Sequence, residues 1–440
     1  MPVSQTDRPG RAGIHIKSFV EINETEHGIA LKEWCPHATE AVRALQDAGF
    51  EAYIVGGGVR DLLLGKAPKD FDVATSATPE QVKDVFPRCR LIGRRFRLAH
   101  VRIKGALIEV ATFRGQNEDG DENAKANGRI LRDNVWGTVE EDAIRRDFTI
   151  NAMFLDPVSG IIRDYVGGYE DLKQRRLRLI GDPELRYRED PVRLLRAARF
   201  VAKLGVEPEP ETLAPIGKMG RLLHDVPAAR LFEEVIKLFL TGHGVRSLEA
   251  LQRFGLSSAL FPGLEESGKT GKIVIDPILM KTLENTDARI AEGKPVTPAF
   301  LFAAVLWKPV SERTEQLVAD GLTAYDACMQ AADEVFALQA QTTAVPRRFS
   351  AVTKQIWTLQ PRFFKTKGKR WTRLLGEQRF RAAYDFLLLR AQQDPELVPL
   401  GEFWTQAQID NPIQAQETIR KKIPRRRRRP RTRRRKSGSG

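Results

Sequence analysis

Cysteine is scarce in this chain: Cys35, Cys89 and Cys328 are an odd, widely scattered set of three in 440 residues. That count excludes a disulfide framework and a Cys-based zinc site, and it points to a reducing compartment. Long apolar runs are missing too. None approaches the ~18–20 residues of a membrane span, and the first residues lack the charged-then-apolar pattern of a secretion signal. The expected location is the cytoplasm. No internal repeat is found. Acid is absent from one stretch: residues 420–436 hold thirteen Lys and Arg and no Asp or Glu. The net charge of +14 therefore belongs to this run, and the first 419 residues sit at about +1. Broken by Pro424 and Pro430, the run cannot pack a core, so residues 409–440 read as a disordered polybasic tail.

What is present suffices for several cores. A length of 440 residues suggests two to four domains, and 42% hydrophobic residues is ordinary for a globular chain. Residues 1–33 carry few apolar side chains and no period, and read as a mobile leader. From Cys35 to Ala48 apolar residues recur at helical spacing (Ala38, Val42, Leu45). Tyr53-Ile54-Val55 then reads as a buried strand running into Gly56, Gly57 and Gly58. Without Cβ atoms, backbone N–H groups at these glycines can approach a phosphate closely. A dinucleotide-binding turn is excluded, because position 61 needs Gly or Ala and holds Asp61. Val59 to Leu64 reads as a short helix closed by Gly65.

Lys69-Asp70-Phe71-Asp72-Val73 follows. On a strand, residues two apart share a face, so Asp70 and Asp72 would project together while Phe71 and Val73 enter a core. Two adjacent carboxylates repel and raise each other's pKa unless a cation neutralises them. Magnesium, a hard cation that takes carboxylate and phosphate oxygens, suits that need. A glycine turn that admits phosphate, followed by paired carboxylates, is what two-metal nucleotidyl transfer requires.

Further along, Thr78-Pro79-Glu80-Gln81 reads as a capping box. Leu98 to Ile103 and Ala106 to Phe113 alternate like paired strands. Glu109 lies within the second, either as a site carboxylate or as a rim residue facing water. Ahead of them, Arg94, Arg95 and Arg97 form a phosphate clamp or a plain basic face. Residues 115–137 read as a mobile polar loop. Glu140 to Phe154 reads as helix and contains Arg145-Arg146-Asp147-Phe148-Thr149-Ile150-Asn151, where Asp147 is either a site residue or an intrahelical partner of Arg145 or Arg146. Arg188-Glu189-Asp190-Pro191-Val192-Arg193 opens a helix ending near Gly205. Asp190 and Arg193, three apart on one side, form a plain salt bridge or a base reader. In the second role the carboxylate accepts from an exocyclic amine and the guanidinium donates to the adjacent ring nitrogen. Adenine and cytosine offer that pattern, whereas guanine and uracil offer the reverse. Ala228 to Leu240 reads as an amphipathic helix, and the remainder is helix-rich. Lys365, Lys367, Lys369 and Arg370, interleaved with Phe363, Phe364 and Trp371, suit single-stranded RNA.

The glycines with Arg60-Asp61, Gly65 and Asp70/Asp72 resemble the signature of the DNA polymerase β-like nucleotidyltransferases. More narrowly they resemble the class II group that holds bacterial tRNA CCA-adding enzymes and bacterial poly(A) polymerases. RRDFTIN at 145–151 and the EDxxR spacing of Glu189, Asp190 and Arg193 match that group, and GRRFRLAH at 93–100 is closer to its poly(A)-synthesising members. The resemblance implies an α+β fold: a polymerase β-like head with a mixed sheet (34–168), a helical neck (169–245), a helical RNA-binding body (246–408) and the basic tail. It implies transfer of AMP from ATP to RNA 3′ ends, with CCA addition as the alternative. A third reading is an RNA-binding protein with a vestigial head, which the intact Asp70, Asp72, Asp190 and Arg193 argue against. Implied site residues are Asp70 and Asp72 for two Mg²⁺ ions, with Glu109 or Asp147 as a further catalytic carboxylate. Gly56, Gly57, Gly58, Arg60, Arg145 and Arg146 would hold the nucleotide, and Asp190 and Arg193 its base. Arg94, Arg95, Lys365, Lys367, Lys369, Arg370 and tail residues such as Arg425, Arg426 and Arg427 would hold RNA, from mRNA, small RNA or tRNA. RNA-decay proteins are candidate partners.

Overall fold

The computed structural model describes residues 19–29, 36–93, 97–115, 135–262, 276–368 and 371–411. Cys35, Arg94, Arg95, Lys369, Arg370, most of the expected 115–137 loop, and the tail with Arg425, Arg426 and Arg427 lie outside these residues. Two compact units divide the chain: Met1–Val226 with Glu249–Leu256, and Pro227–Leu248 with Ser257–Gly440.

The first unit is built on eight strands, β1 (Val20–Ile22), β2 (Ala52–Val55), β3 (Asp72–Thr75), β4 (Cys89–Ile92), β5 (Leu98–Ile103), β6 (Ala106–Thr112), β7 (Met153–Asp156) and β8 (Ile161–Asp164). They form one sheet in the order β1-β8-β7-β2-β3-β6-β5-β4. Among the described strands of this sheet only β3 and β6 pair in parallel; their register sets Asp72 opposite Glu109 and Val73 opposite Val110. A parallel pair needs a crossover. Here it is made by residues 76–105, which contain a helix and the antiparallel strands β4 and β5.

The helices of this unit begin with α1 (Glu24–His27), α2 (Pro36–Asp47), α3 (Gly57–Leu63), α4 (Pro79–Val85) and α5 (Val139–Arg145). They continue with α6 (Gly168–Lys173), α7 (Pro183–Glu189) and α8 (Val192–Leu204). The central strands are covered on both faces. Ala38, Ala41, Val42 and Leu45 of α2 are fully buried, and α2 packs on β2, β3, β5 and β6. Val139 and Ala143 of α5 join Tyr53, Val55, Ala74, Phe113, Phe154 and Tyr165 in a second apolar cluster. The mixed sheet with flanking helices is the fold class that the sequence motifs imply.

Local signals hold where they are specific. Thr78 and Gln81 close the capping box at the start of α4, and Gly65, at φ +66°, ends α3 as the left-handed residue that the position demands. Three readings differ from the structure. Residues 140–154 are not one helix: α5 stops at Arg145 because Arg146 turns to extended backbone, and the Asp147 side chain accepts from the Phe148 N–H. Met153-Phe154-Leu155 then forms a fully buried strand between β2 and β8. Part of the expected leader, Val20–Ile22, is a strand on β8. The helix anticipated from Arg188 is two helices, α7 and α8, broken at Asp190-Pro191.

The second unit is helical throughout its described residues, with helices at Ala228–Phe239, Pro277–Ala291, Pro298–Val305, Trp307–Ala319, Ala324–Gln339, Arg347–Phe363, Phe380–Ala391 and Val398–Asp410. Buried indoles fix their packing through their N–H groups: Trp357 donates to the Ala303 carbonyl and Trp404 to that of Phe363, each at 3.0 Å. Among the described residues no helix is long and apolar enough to cross a membrane, and Cys89 and Cys328 are free thiols.

Candidate active site

Two central strands deliver the acidic end of the sheet. Asp72 opens β3, and its register partner on the parallel neighbour is Glu109. Asp70 lies two residues before the strand rather than on it, yet its charge still reaches Asp72. Asp72 keeps contact with solvent at the strand end, but the surrounding protein strips enough of its hydration to lift its pKa above the ordinary carboxylate range. Glu109 and Asp70 push the same way and Arg146 opposes them. His100, opposite Glu109 on β5, lies 3.4 Å from its carboxylate.

Gly56 to Gly58 form the turn from β2 into α3. Gly56 sits at φ +73°, which favours glycine, and a Cβ there would stand 3.5 Å from the Arg146 guanidinium. Gly58 is needed for packing: its Cβ would lie 3.1 Å from the Phe71 ring and 3.4 Å from the Asp70 carbonyl oxygen. The turn and the Asp70–Asp72 segment are therefore in contact through Gly58. Its first-turn N–H groups receive no side-chain cap.

Arg60 is 4% exposed. Its guanidinium is held by Asp61 at 2.6 Å and Asn151 at 2.5 Å and lies over the Phe200 ring of α8. Arg145 donates to the Gly115 carbonyl at 2.5 Å. Arg146 pairs with Asp142 at 2.8 Å, over the Phe154 ring.

Asp147 is placed differently from the other carboxylates. It accepts from the Phe148 N–H at 2.8 Å, from Asn151 at 3.1 Å and from Arg196 Nε at 2.7 Å, with a second contact from Arg196 Nη2. Burial works against its charge, but Arg196 and these hydrogen bonds outweigh burial and hold its pKa below the ordinary range. The structure thus brings Asp70, Asp72 and Glu109 together and gives Asp147 to Arg196.

Asp190 and Arg193 flank the start of α8. Asp190 accepts from the Val192 N–H at 3.2 Å. Arg193 turns to Glu189 at 3.1 Å and to the Arg186 carbonyl at 2.6 Å. Sequence reasoning overlooked Arg186 and Arg196. Part of the signal was present, since Arg186 and Glu189 are three apart on α7 and Arg193 and Arg196 three apart on α8, so each pair shares a helical side. In the second unit, Lys365 and Lys367 are exposed just past the Arg347–Phe363 helix. Of the interleaved aromatics, Phe363 is buried and Trp371 packs on Phe403 and Trp404, which leaves Phe364, 58% exposed, open to solvent.

Among the described residues no group of three or more His, Cys, Asp or Glu is already gathered into a metal cage. Mg²⁺ seldom uses one: it takes one or two carboxylates together with waters and substrate phosphates. Asp70, Asp72 and Glu109 are all oxygen donors, and lost hydration followed by the charges of Glu109 and Asp70 raises the Asp72 pKa, so they fit such an ion.

The described fold agrees with comparisons to known proteins. The family profile "Poly A polymerase head domain" matches residues 52–178, "Probable RNA and SrmB- binding site of polymerase A" matches 205–267, and "Polymerase A arginine-rich C-terminus" matches 320–437. Poly(A) polymerase I of Salmonella typhi is 45% identical over 92% of this chain and 90% of its own. The CCA-adding enzyme of Geobacillus stearothermophilus is 39% identical, but over only 51% of this chain and 54% of its own. Among solved structures, the Bacillus stearothermophilus CCA-adding enzyme in complex with CTP superposes with a TM-score of 0.57 at 28% identity, covering 87% of this chain and 85% of that one.

Proposed function

The chain belongs to the bacterial poly(A) polymerase I family of class II nucleotidyltransferases, and from that premise we propose how its residues divide the work. It is a polynucleotide adenylyltransferase, transferring AMP from ATP to RNA 3′ ends without a template and releasing pyrophosphate. The observation that carries this over CCA addition is coverage. Sequence likeness to poly(A) polymerase I extends over nine-tenths of the chain, whereas the sequence match to the curated CCA-adding enzyme stops near half, although the shared fold continues further.

Asp70 and Asp72 would hold two Mg²⁺ ions, with Glu109 beside Asp72 as the third carboxylate. When bound, the ions neutralise the triphosphate and favour the ionised 3′-oxygen of the RNA. Arg146, whose charge reaches Asp72, and Arg145 face the triphosphate, and Gly56 to Gly58 let it approach the backbone. Arg60, buried against Asp61, Asn151 and Phe200, holds that turn in place. Asp147 orders the site through Arg196. Asp190 and Arg193 read the adenine edge. ATP enters a catalytic head over 34–168, and the neck over 169–245 selects its base. The body over 246–408 and the tail hold mRNA and small RNA through Lys365, Lys367, Lys369 and Arg370, with Arg94 and Arg95 adding phosphate contacts on the head. The 205–267 family match supports contact with RNA and with a protein partner in RNA metabolism.

AMP incorporation into a generic RNA in the presence of Mg²⁺ tests the assignment. Asp72→Ala should lose roughly a thousandfold in turnover, the scale of a metal contribution of several kcal/mol. Turnover equal to wild type in that variant would remove Asp72 from the chemistry.

A further inference from the structure

Arg186 stands one helical turn ahead of the base-reading pair, on α7, and the motif readings give it no role. Its side chain is only 15% exposed. Nη2 donates to the carbonyl oxygens of Arg145 and Arg146 at 2.8 and 2.7 Å. Those carbonyls end α5, where helical donors run out and a cation meets the negative end of the helix dipole. Nη1 donates to Glu189 Oε2 at 2.7 Å, and the same oxygen accepts from Arg193 at 3.1 Å. The Arg186 carbonyl accepts from Arg193 as well, at 2.6 Å.

Position 186 meets both groups that orient the Arg193 guanidinium, and the one its side chain governs is Glu189. One is its own carbonyl and the other a carboxylate that its side chain holds. The other end of the Arg186 guanidinium is fixed to the backbone carbonyls of Arg145 and Arg146. A planar fork can span two such partners at once, which a lysine ammonium cannot. A lone arginine would cap α5 without a like charge nearby. Instead burial, and after it the charge of Arg193, lower the Arg186 pKa, while Glu189 and Asp147 oppose them.

We propose that Arg186 is a positioning residue for nucleotide selection, coupling Arg145 and Arg146 to Arg193 so that triphosphate and base are held at one fixed spacing. The proposal rests on the base-reading assignment of Asp190 and Arg193. A nucleotide whose edge pattern is wrong then cannot recover its base contacts by shifting its phosphates. Loosening the coupling should relax base choice and not only slow turnover.

The test is kcat/KM for ATP, CTP, GTP and UTP, each offered alone at saturating RNA. It compares wild type, Arg186→Ala, Arg193→Ala and the double variant, with Tm measured for each. Arg186→Ala should reduce the preference for ATP over GTP by roughly fivefold or more and add little to the loss already present in Arg193→Ala, the non-additivity of residues acting through one contact. Equal slowing on all four nucleotides with an unchanged ATP/GTP ratio would mean a structural brace only, and would overturn the proposal. So would effects on selectivity that multiply independently in the double variant. If Arg193→Ala itself keeps full ATP preference, the base-reading assignment fails and the proposal fails with it. Loss in Arg193→Ala but not in Arg186→Ala overturns the positioning role alone. Should Arg186→Ala not fold, Arg186→Gln, which keeps a donor for the carbonyls but loses the charge facing Glu189, is read by the same ratio.

Discussion

Asp72 has two acidic neighbours and one basic one acting on it, whereas Asp147 is enclosed by donors, and the two should answer pH with opposite signs. Because the native pKa of Asp72 is raised, its contribution to stability is present below the ordinary carboxylate value of 3.8 and is lost as pH rises through the native value. At neutral pH without divalent cation, Asp72→Asn should therefore raise Tm, and the gain should vanish in acid. Added Mg²⁺ should stabilise wild type more than the variant. Calorimetry across pH, with chelator and with Mg²⁺, checks both statements; a variant less stable than wild type at neutral pH would contradict them. Asp147, with a depressed pKa, stabilises above the ordinary value and loses that stability as pH falls through its native one. Asp147→Asn removes a partner from a mostly buried arginine and should cost about 2–3 kcal/mol, as for hydrogen bonds to charged groups. Glu109→Gln should leave Tm near wild type yet abolish most turnover. A Glu109 variant with normal turnover would return the third-carboxylate role to Asp147. The acidic residues themselves were legible in the sequence, since each lies in a short motif. Their separation into a repelling set and a paired one was not, because Arg196 meets Asp147 across 49 residues of sequence.

At the scale of elements, the β2–α3 turn and the Asp70–Asp72 segment act as one piece, because Gly58 lets Phe71 lie against the turn. Gly58→Ala would press a methyl into the Phe71 ring and the Asp70 carbonyl. It should cost about 1–3 kcal/mol, as overpacking does, and lower kcat by tenfold or more as Asp70 shifts. Normal kcat with only a stability loss would show that the carboxylates are placed independently of the turn. Elements with local signatures were readable: the capping box of α4, the left-handed Gly65 and Gly205 that end α3 and α8, and the alternating β5 and β6. β7 was not, because Met153-Phe154-Leu155 is buried on both faces and a short continuous apolar run looks the same in a helix. β1 escaped notice because three residues are too few to carry a period.

For the whole molecule, charge distribution was the clearest message of the sequence, and it makes a prediction independent of the active site. Thirteen positive charges between 420 and 436 should bind RNA mainly by counterion release, with log K falling by ~0.7 per phosphate neutralised for each tenfold rise in salt. Ending the chain before Arg420 should weaken RNA binding and flatten its salt dependence by several units of slope if about half the charges engage. Turnover at saturating RNA should hardly change, because the carboxylates and the base-reading pair lie in the first unit. An unchanged salt slope would assign the tail to something other than RNA. The sheet order was not legible, since pairing β3 with β6 in parallel depends on contacts between distant stretches of chain. ATP-selective, template-independent growth of an RNA end is read from the product ladder. Each NTP is offered alone, and ATP with CTP together, to a generic RNA and to a tRNA lacking its 3′ end. A long ladder on the generic RNA with ATP alone is expected; growth confined to the tRNA, dependent on CTP and stopping after three additions, would rule out poly(A) synthesis.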